Sequence, residues 1–387
     1  MLRRSSFAAT AVALAGLAAA GPASASASAS AGTERADAAL DRALDGLVAR
    51  SQGPPGAVAI VQRGADLTVH TSGVANVRTR RKIQISDHMR TASTAKAFNG
   101  AVALSLVSQG RLKLSATIGA TLRGLPAAWA PVTVGQALHH TSGLPDYTTS
   151  PAFQKALGQN LRRRFDSRRL WTFVAGEPLD FAPGTAYHYS NTDNIVAALF
   201  AEAVTGRSEE RLLAERVSRP LGLTGTSLPS GYLMPSPYIR GYLREPGAPL
   251  QDVSQALSAS AFWAAGGMVT TPADLNRFAR GYIGARLFSR AVQRQQMRWV
   301  PGTSEPPGPG VNSAGLAVFR YRTRCGTVYG HTGNFPGYTQ FLASTLDGRR
   351  SVTVSVNEQL SQEAQLPAVW RVLRAAEETA VCAALAR

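Results

Sequence analysis

Strand-forming residues gather at the two ends of this 387-residue chain and leave a long helical stretch between them. Near the beginning, Gly56 to Gln62 and Asp66 to Val74 run apolar or alternate as paired strands do. Near the end, Gly315 to Tyr321, Thr327 to His331 and Tyr338 to Thr345 carry the same signature. Asp347-Gly348 is a hairpin turn leading into Ser351 to Asn357, where Val352, Val354 and Val356 share one face. Half-buried strands that are so distant in sequence are most economically placed in one sheet. The predicted fold is therefore α/β, an antiparallel sheet drawn from both chain ends and flanked by helices, with an all-helical insertion. The sheet part spans 33–92 and 266–387, the helical part spans 93–265, and the site is expected at their junction.

Ala36 to Ala49 reads as an amphipathic helix on the stripe Leu40, Ala43, Leu44 and Leu47. Ser93 opens a second helix that runs through Val102, Leu106 and Val107 and closes at Gly110. Another helix, Asn194 to Thr205, ends at Gly206, and a terminal one carries Val369, Leu373, Ala376 and Ala380 at helical spacing.

The first residues read as an export leader. Arg3 and Arg4 form a positive n-region, and Phe7 to Ala20 is apolar but too short to span a bilayer. Ala23-Ser24-Ala25 is a small-residue cleavage site, with Ala27 and Ala29 as neighbours. Residues 1–25 are expected to be a signal peptide, with cleavage as late as 31, and the mature chain to be secreted without a membrane span. Two cysteines, Cys325 and Cys382, fit one disulfide in an oxidising compartment and are too few for a zinc site. No metal and no cofactor are expected.

The net charge is +17 and is carried almost entirely by arginine, the only lysines being Lys82, Lys96, Lys113 and Lys155. Five arginines fall between Leu161 and Leu170, but no nucleic-acid motif accompanies them. They read as a solvated helix face, and no nucleic-acid partner is expected. On an exported protein such a surface would favour anionic cell-wall polymers.

Three short pieces carry the chemistry. In Ser93-Thr94-Ala95-Lys96, positions three apart on a helix put the Lys96 amine beside the Ser93 hydroxyl. A serine needs help to lose its proton, and burial of Lys96 would lower its pKa enough to provide it. In Tyr189-Ser190-Asn191, a phenol near the Lys96 charge is expected to lose its proton and relay it between Ser93 and a leaving group. Asn191 is expected to bond both Lys96 and a substrate carbonyl. In His331-Thr332-Gly333, the glycine allows an extended substrate to approach a strand edge. The backbone N–H groups of Ser93 and Asn334 would together form an oxyanion hole. No G-x-S-x-G elbow and no H-E-x-x-H is present, which disfavours a Ser-His-Asp hydrolase and a zinc protease.

These three pieces, in this order, resemble the motifs of the serine penicillin-recognising enzymes, in which D-alanyl-D-alanine carboxypeptidases and class C β-lactamases share one fold. The resemblance covers roughly Gly56 to Cys382. It includes His140-Thr141-Ser142-Gly143-Leu144, Pro183-Gly184-Thr185, Gly266-Gly267-Met268 and Thr271 to Leu275. The chain is most similar to the secreted carboxypeptidase type, which has H-T-G as its last motif, one cysteine just before it and another in the final helix. The resemblance implies a β-lactamase/transpeptidase-like fold, an acyl-enzyme at Ser93, and D-alanyl-D-alanine carboxypeptidase activity on peptidoglycan stem peptides. A β-lactamase or esterase of the same family is the alternative enzyme, with a peptide or β-lactam as substrate. A non-catalytic wall-binding protein is the alternative of another class. One departure stands out. Phe319 falls where those carboxypeptidases have an arginine that holds the substrate's terminal carboxylate, and Asn334 replaces a threonine with the same task.

Overall fold

The computed structural model describes residues 23–245, 248–360 and 367–386. Most of the expected leader, up to residue 22, lies outside the described residues. The first helix, α1 (Ala23–Val48), extends well upstream of the amphipathic pattern, because its Ala-rich beginning has high helix propensity.

Seven strands form one antiparallel sheet. They are β1 (Gly56–Arg63), β2 (Asp66–Gly73), β3 (Val311–Gly315), β4 (Val318–Thr323), β5 (Gly326–Phe335), β6 (Tyr338–Ser344) and β7 (Arg350–Val356). Their spatial order is β2-β1-β7-β6-β5-β4-β3, so the two chain ends meet where β1 pairs with β7 in the register Ala57↔Val356. Two strand expectations need correction. Gly315 to Tyr321 is not one strand: the chain reverses at Leu316-Ala317, where Ala317 adopts φ 52°, and β3 pairs with β4. The strand expected to end at His331 continues to Phe335, because the β5–β6 ladder runs on to the pair Tyr338↔Phe335. His331 to Asn334 are thus inside a strand, not after one.

Period-two alternation decides which residues face which layer. Ala57, Ala59, Val61, Phe341, Val352, Val354 and Val356 pack against Leu40, Leu44 and Leu47 of α1. The same layer holds Val369, Leu373 and Ala380 of the terminal helix (Pro367–Leu385). Cys325, in the β4–β5 turn, is bridged to Cys382 on that helix with Cα atoms 5.1 Å apart. Closing a loop of that size contributes about 2–4 kcal/mol by restricting the unfolded chain.

The other face packs against the helices of the middle of the chain. The central one, α2 (Ala95–Ser108), is buried on all sides from Ala95 to Leu106. That explains why its sequence is apolar all round. α3 (Asn191–Thr205) lies beside it, and Phe98 of α2 stacks on Phe278 of α4 (Pro272–Ile283) with centroids 3.5 Å apart. No helix among the described residues is long and apolar enough to cross a membrane.

Candidate active site

Ser93 sits in a single 3-10 turn, Ala92–Thr94, that feeds directly into α2. Ala92 before it is held at φ 52°, a left-handed conformation that costs a non-glycine residue about 1 kcal/mol. The turn leaves Ser93 partly exposed while Lys96, one helical turn on, is fully buried. Lys96 Nζ has three oxygen partners: Ser93 Oγ at 3.1 Å, Asn191 Oδ1 at 2.7 Å and the carbonyl of Ala265 at 2.8 Å. Loss of hydration pulls the Lys96 pKa down from its usual value to about 7, against the opposing pull of Asp146, Glu305 and Asp193. The neutral amine has two hydrogens and one lone pair. A carbonyl or amide oxygen can only accept, so Asn191 Oδ1 and Ala265 O take both hydrogens. The lone pair is left for the Ser93 hydroxyl.

Asn191 is itself oriented. Its Nδ2 donates to Asp146 Oδ2 at 2.8 Å and to Thr148 Oγ1 at 3.1 Å, which turns Oδ1 toward Lys96. Both of its donor hydrogens are thereby committed, so the expected bond from Asn191 to a substrate carbonyl is not available in this arrangement. Asp146 is in turn held by the backbone N–H and hydroxyl of Thr148.

The Tyr189 hydroxyl is buried and makes no hydrogen bond of ordinary geometry; Ser93 is the hydroxyl that faces it. The Lys96 ammonium nitrogen lies 5.0 Å from the centre of its ring. Burial raises the pKa of this phenol well above the usual value. Tyr189 therefore keeps its proton at neutral pH, and Lys96 is the group poised to accept one. Behind Tyr189, the His140 ring packs at 4.5 Å. Burial and the nearby Lys96 depress the His140 pKa to about 3, so it backs the tyrosine as a neutral ring.

The third segment closes the site through its backbone. A Cβ on Gly333 would lie 2.9 Å from the Thr91 carbonyl and 3.0 Å from the Ser93 amide nitrogen. Only glycine lets β5 come this close to the nucleophile turn. Asn334 is half-buried, and its Oδ1 accepts from the Thr339 hydroxyl at 2.9 Å. The side chains of the other residues predicted to bind substrate in this region are buried. His331, Thr332 and Phe319 are 0%, 1% and 1% exposed, so their side chains offer no surface to a ligand. The Thr332 hydroxyl donates to the Pro306 carbonyl at 2.6 Å. Phe319 meets the His331 ring edge-on with centroids 5.0 Å apart. His331 Nδ1 faces the Thr332 carbonyl at 2.5 Å, and burial depresses its pKa to about 3. It is a neutral spacer behind the strand edge.

Three contributors escaped the sequence reading: Asp146, Thr148 and the Ala265 carbonyl. Asp146 lies two residues beyond the His140 to Leu144 motif, so its neighbourhood was visible. The Ala265 carbonyl left no side-chain signal. Together these groups can activate a serine hydroxyl by a neutral amine, hold a substrate along a strand edge, and return a proton from a phenol.

A family model described as Beta-lactamase matches residues 38–377. The chain belongs to the β-lactamase family of serine hydrolases. The D-aminopeptidase of Cereibacter sphaeroides is 26% identical over 331 residues, 84% of this chain and 61% of that protein. The chain thus spans less than two thirds of that relative's length. Penicillin-binding protein 4* of Bacillus subtilis is 22% identical over 337 residues, 83% of this chain and 71% of that protein. Among solved structures, a D-stereospecific amidohydrolase from Streptomyces sp. superposes with a TM-score of 0.75 at 30% identity. The match covers 84% of this chain and 94% of that one. The β-lactamase family fold accounts for the antiparallel sheet, its flanking helices and the meeting of the three motifs at their junction.

Proposed function

We propose that this β-lactamase family member hydrolyses amides and peptides of D-amino acids through an acyl-enzyme on Ser93. One observation carries the reading: Lys96 Nζ lies 3.1 Å from Ser93 Oγ while its two other partners, Asn191 Oδ1 and the Ala265 carbonyl, can only accept hydrogens, which leaves a neutral amine its lone pair for the serine. Lys96 takes the Ser93 proton as Oγ bonds to the substrate carbonyl carbon. The negative charge on the carbonyl oxygen is met by the backbone N–H groups of Ser93 and Asn334. The C–N bond then breaks, and the leaving amine takes a proton from the Tyr189 hydroxyl, which Lys96 replenishes. Water releases the acid in the reverse sense.

The substrate class draws on the named actions of the D-aminopeptidase and the D-stereospecific amidohydrolase. The D-alanyl-D-alanine carboxypeptidase expectation has less support. The arginine position of its carboxylate clamp is a buried phenylalanine, Phe319. Arg320 next to it is engaged with Ser313 Oγ and the Trp299 ring. Export is part of the proposal and is supported by the leader-like start and by the Cys325–Cys382 bridge.

The decisive experiment treats the pure protein with D- and L-phenylalanine amide, and separately with a penicillin, and locates any adduct by mass. Faster release of D-phenylalanine, and a penicillin adduct on Ser93 that vanishes in Ser93→Ala, are expected. Equal rates for both enantiomers overturn the substrate class, and an adduct on another residue overturns the mechanism.

A further inference from the structure

The two helices on the outer face of the sheet, α1 and the terminal helix, carry their charges unevenly. On α1, Asp37, Asp41 and Asp45 recur every four residues and so share one flank. The neighbouring strands engage all three. Asp37 accepts from Arg63 at 3.2 Å, Asp41 meets His70 Nδ1 at 2.8 Å, and Asp45 accepts from the Ser72 hydroxyl at 2.7 Å. The acids of the terminal helix are also paired, Glu377 with Arg374 at 2.9 Å and Glu378 with Arg324 at 3.1 Å.

Between the helices is a groove of about 440 Å3, with Arg42, Gly46 and Arg50 on one side and Arg371, Ala375 and Thr379 on the other. All three arginines are exposed, and no acidic residue is among the described residues that line the groove. Among the described residues, their guanidinium groups have no ion-pair or hydrogen-bond partner. Cations gathered around one concavity repel each other, and an anion that enters relieves the repulsion. Arg42 and Arg50 are eight residues apart, roughly 12 Å at helical rise. An occupant that meets both therefore carries repeated anionic groups. Gly46 and Ala375, between the cations, leave room for a slim chain. No aromatic residue lines the groove, so a nucleic-acid base has nothing to stack on. Arginine does suit phosphate: it offers two parallel hydrogen bonds and keeps its charge at every working pH.

We propose that this groove binds a linear phosphodiester polymer without bases, held by Arg42, Arg50 and Arg371. The site is separate from the serine chemistry. Its two helices cover the sheet face opposite α2, the helix that follows Ser93, so the polymer is held while the candidate active site stays open.

The test measures binding of the protein to labelled poly(glycerol phosphate) and to a single-stranded oligonucleotide of equal charge, over a series of salt concentrations. Joint replacement Arg42→Gln, Arg50→Gln and Arg371→Gln should weaken binding of poly(glycerol phosphate) about tenfold or more. It should also lower the slope of log affinity against log salt by about two, since each phosphate contact contributes about 0.7. Arg42→Gln alone should give a smaller loss in the same direction. The control Arg123→Gln, Arg219→Gln and Arg294→Gln removes the same charge from exposed arginines outside the groove and should leave affinity and slope nearly unchanged. Equal losses in the two triple variants overturn the groove in favour of diffuse surface charge. Tighter binding of the oligonucleotide overturns the choice of polymer, and no binding of poly(glycerol phosphate) by the native protein overturns the proposal outright.

Discussion

Lys96 and Glu209 are both ionisable, both fully buried, and differ in everything around them. Lys96 has three oxygen partners that fix its nitrogen beside a hydroxyl, and its pKa comes to rest at about 7. Glu209 begins a short helix, Glu209–Leu213, and neither of its carboxylate oxygens has a hydrogen-bond partner. Burial raises its pKa well above the usual value, and the neighbouring Glu202 and Glu210 push the same way. Burial, aided by its acidic neighbours, therefore makes Glu209 a neutral acid with nothing to act on. At Lys96, burial is opposed by nearby acids, so the amine stays within the range where it can exchange a proton at neutral pH. Directed partners separate a candidate base from a buried charge that has merely been neutralised.

The largest effect should come from breaking the Lys96 arrangement. Lys96→Arg keeps the positive charge but cannot give it up at working pH. Acylation of Ser93 should fall by about 100-fold or more, the usual scale for loss of a general base. Stopped-flow measurement with a chromogenic β-lactam checks this, and a rate near that of the native protein would remove Lys96 from its role.

A smaller change should retune the same amine. Asn191→Asp replaces a neutral acceptor at 2.7 Å from Nζ with a carboxylate. An opposite charge that close raises a lysine pKa by about 1–3 units. The native acid limb of kcat/KM should fall near pH 7, where Lys96 loses its proton, and rates should rise with pH through it. In Asn191→Asp that limb should move to higher pH. An unmoved limb would mean that another group controls it.

The least effect on catalysis is expected from Glu209→Gln, with acylation within about threefold of the native rate, since surroundings without a substrate leave only stability to change. Stability should respond to pH. A carboxyl whose folded pKa is raised contributes stability that is fully present below its unfolded value, about 4.3, and is lost as pH rises through the folded value. The native protein should therefore lose melting temperature between mildly acidic and mildly alkaline pH by more than Glu209→Gln does. Identical slopes in the two proteins would show that Glu209 does not titrate with folding.

What could be read from residue order alone was whatever neighbouring residues encode. The Ser93–Lys96 pairing follows from helical spacing, and α2 does place both groups on one side even though Ser93 itself sits in the 3-10 turn before it. The alternation of Val352, Val354 and Val356 predicted the face they bury, and two cysteines allow only one pairing, which is the bridge observed. Gly333 was legible as a point of close approach, but not the Ser93 amide nitrogen as the thing approached.

Only the tertiary structure decided the rest. The Ala265 carbonyl reaches Lys96 from 169 residues away and has no side chain by which a sequence could announce it. Asn191 could have served a substrate until packing set Asp146 and Thr148 against its amide hydrogens. Phe319 reads as a wall of the site in a linear comparison, yet the pleat of β4 turns it into the core against His331. The segment from Thr303 to Pro306 carries no motif, and its place depends on two hydrogen bonds from residues more than twenty positions away, Tyr187 to the Thr303 carbonyl and Thr332 to the Pro306 carbonyl. Local periodicity is a property of adjacent residues, whereas these contacts arise when the helical insertion is closed onto the sheet, and that closure is a property of the whole packed chain.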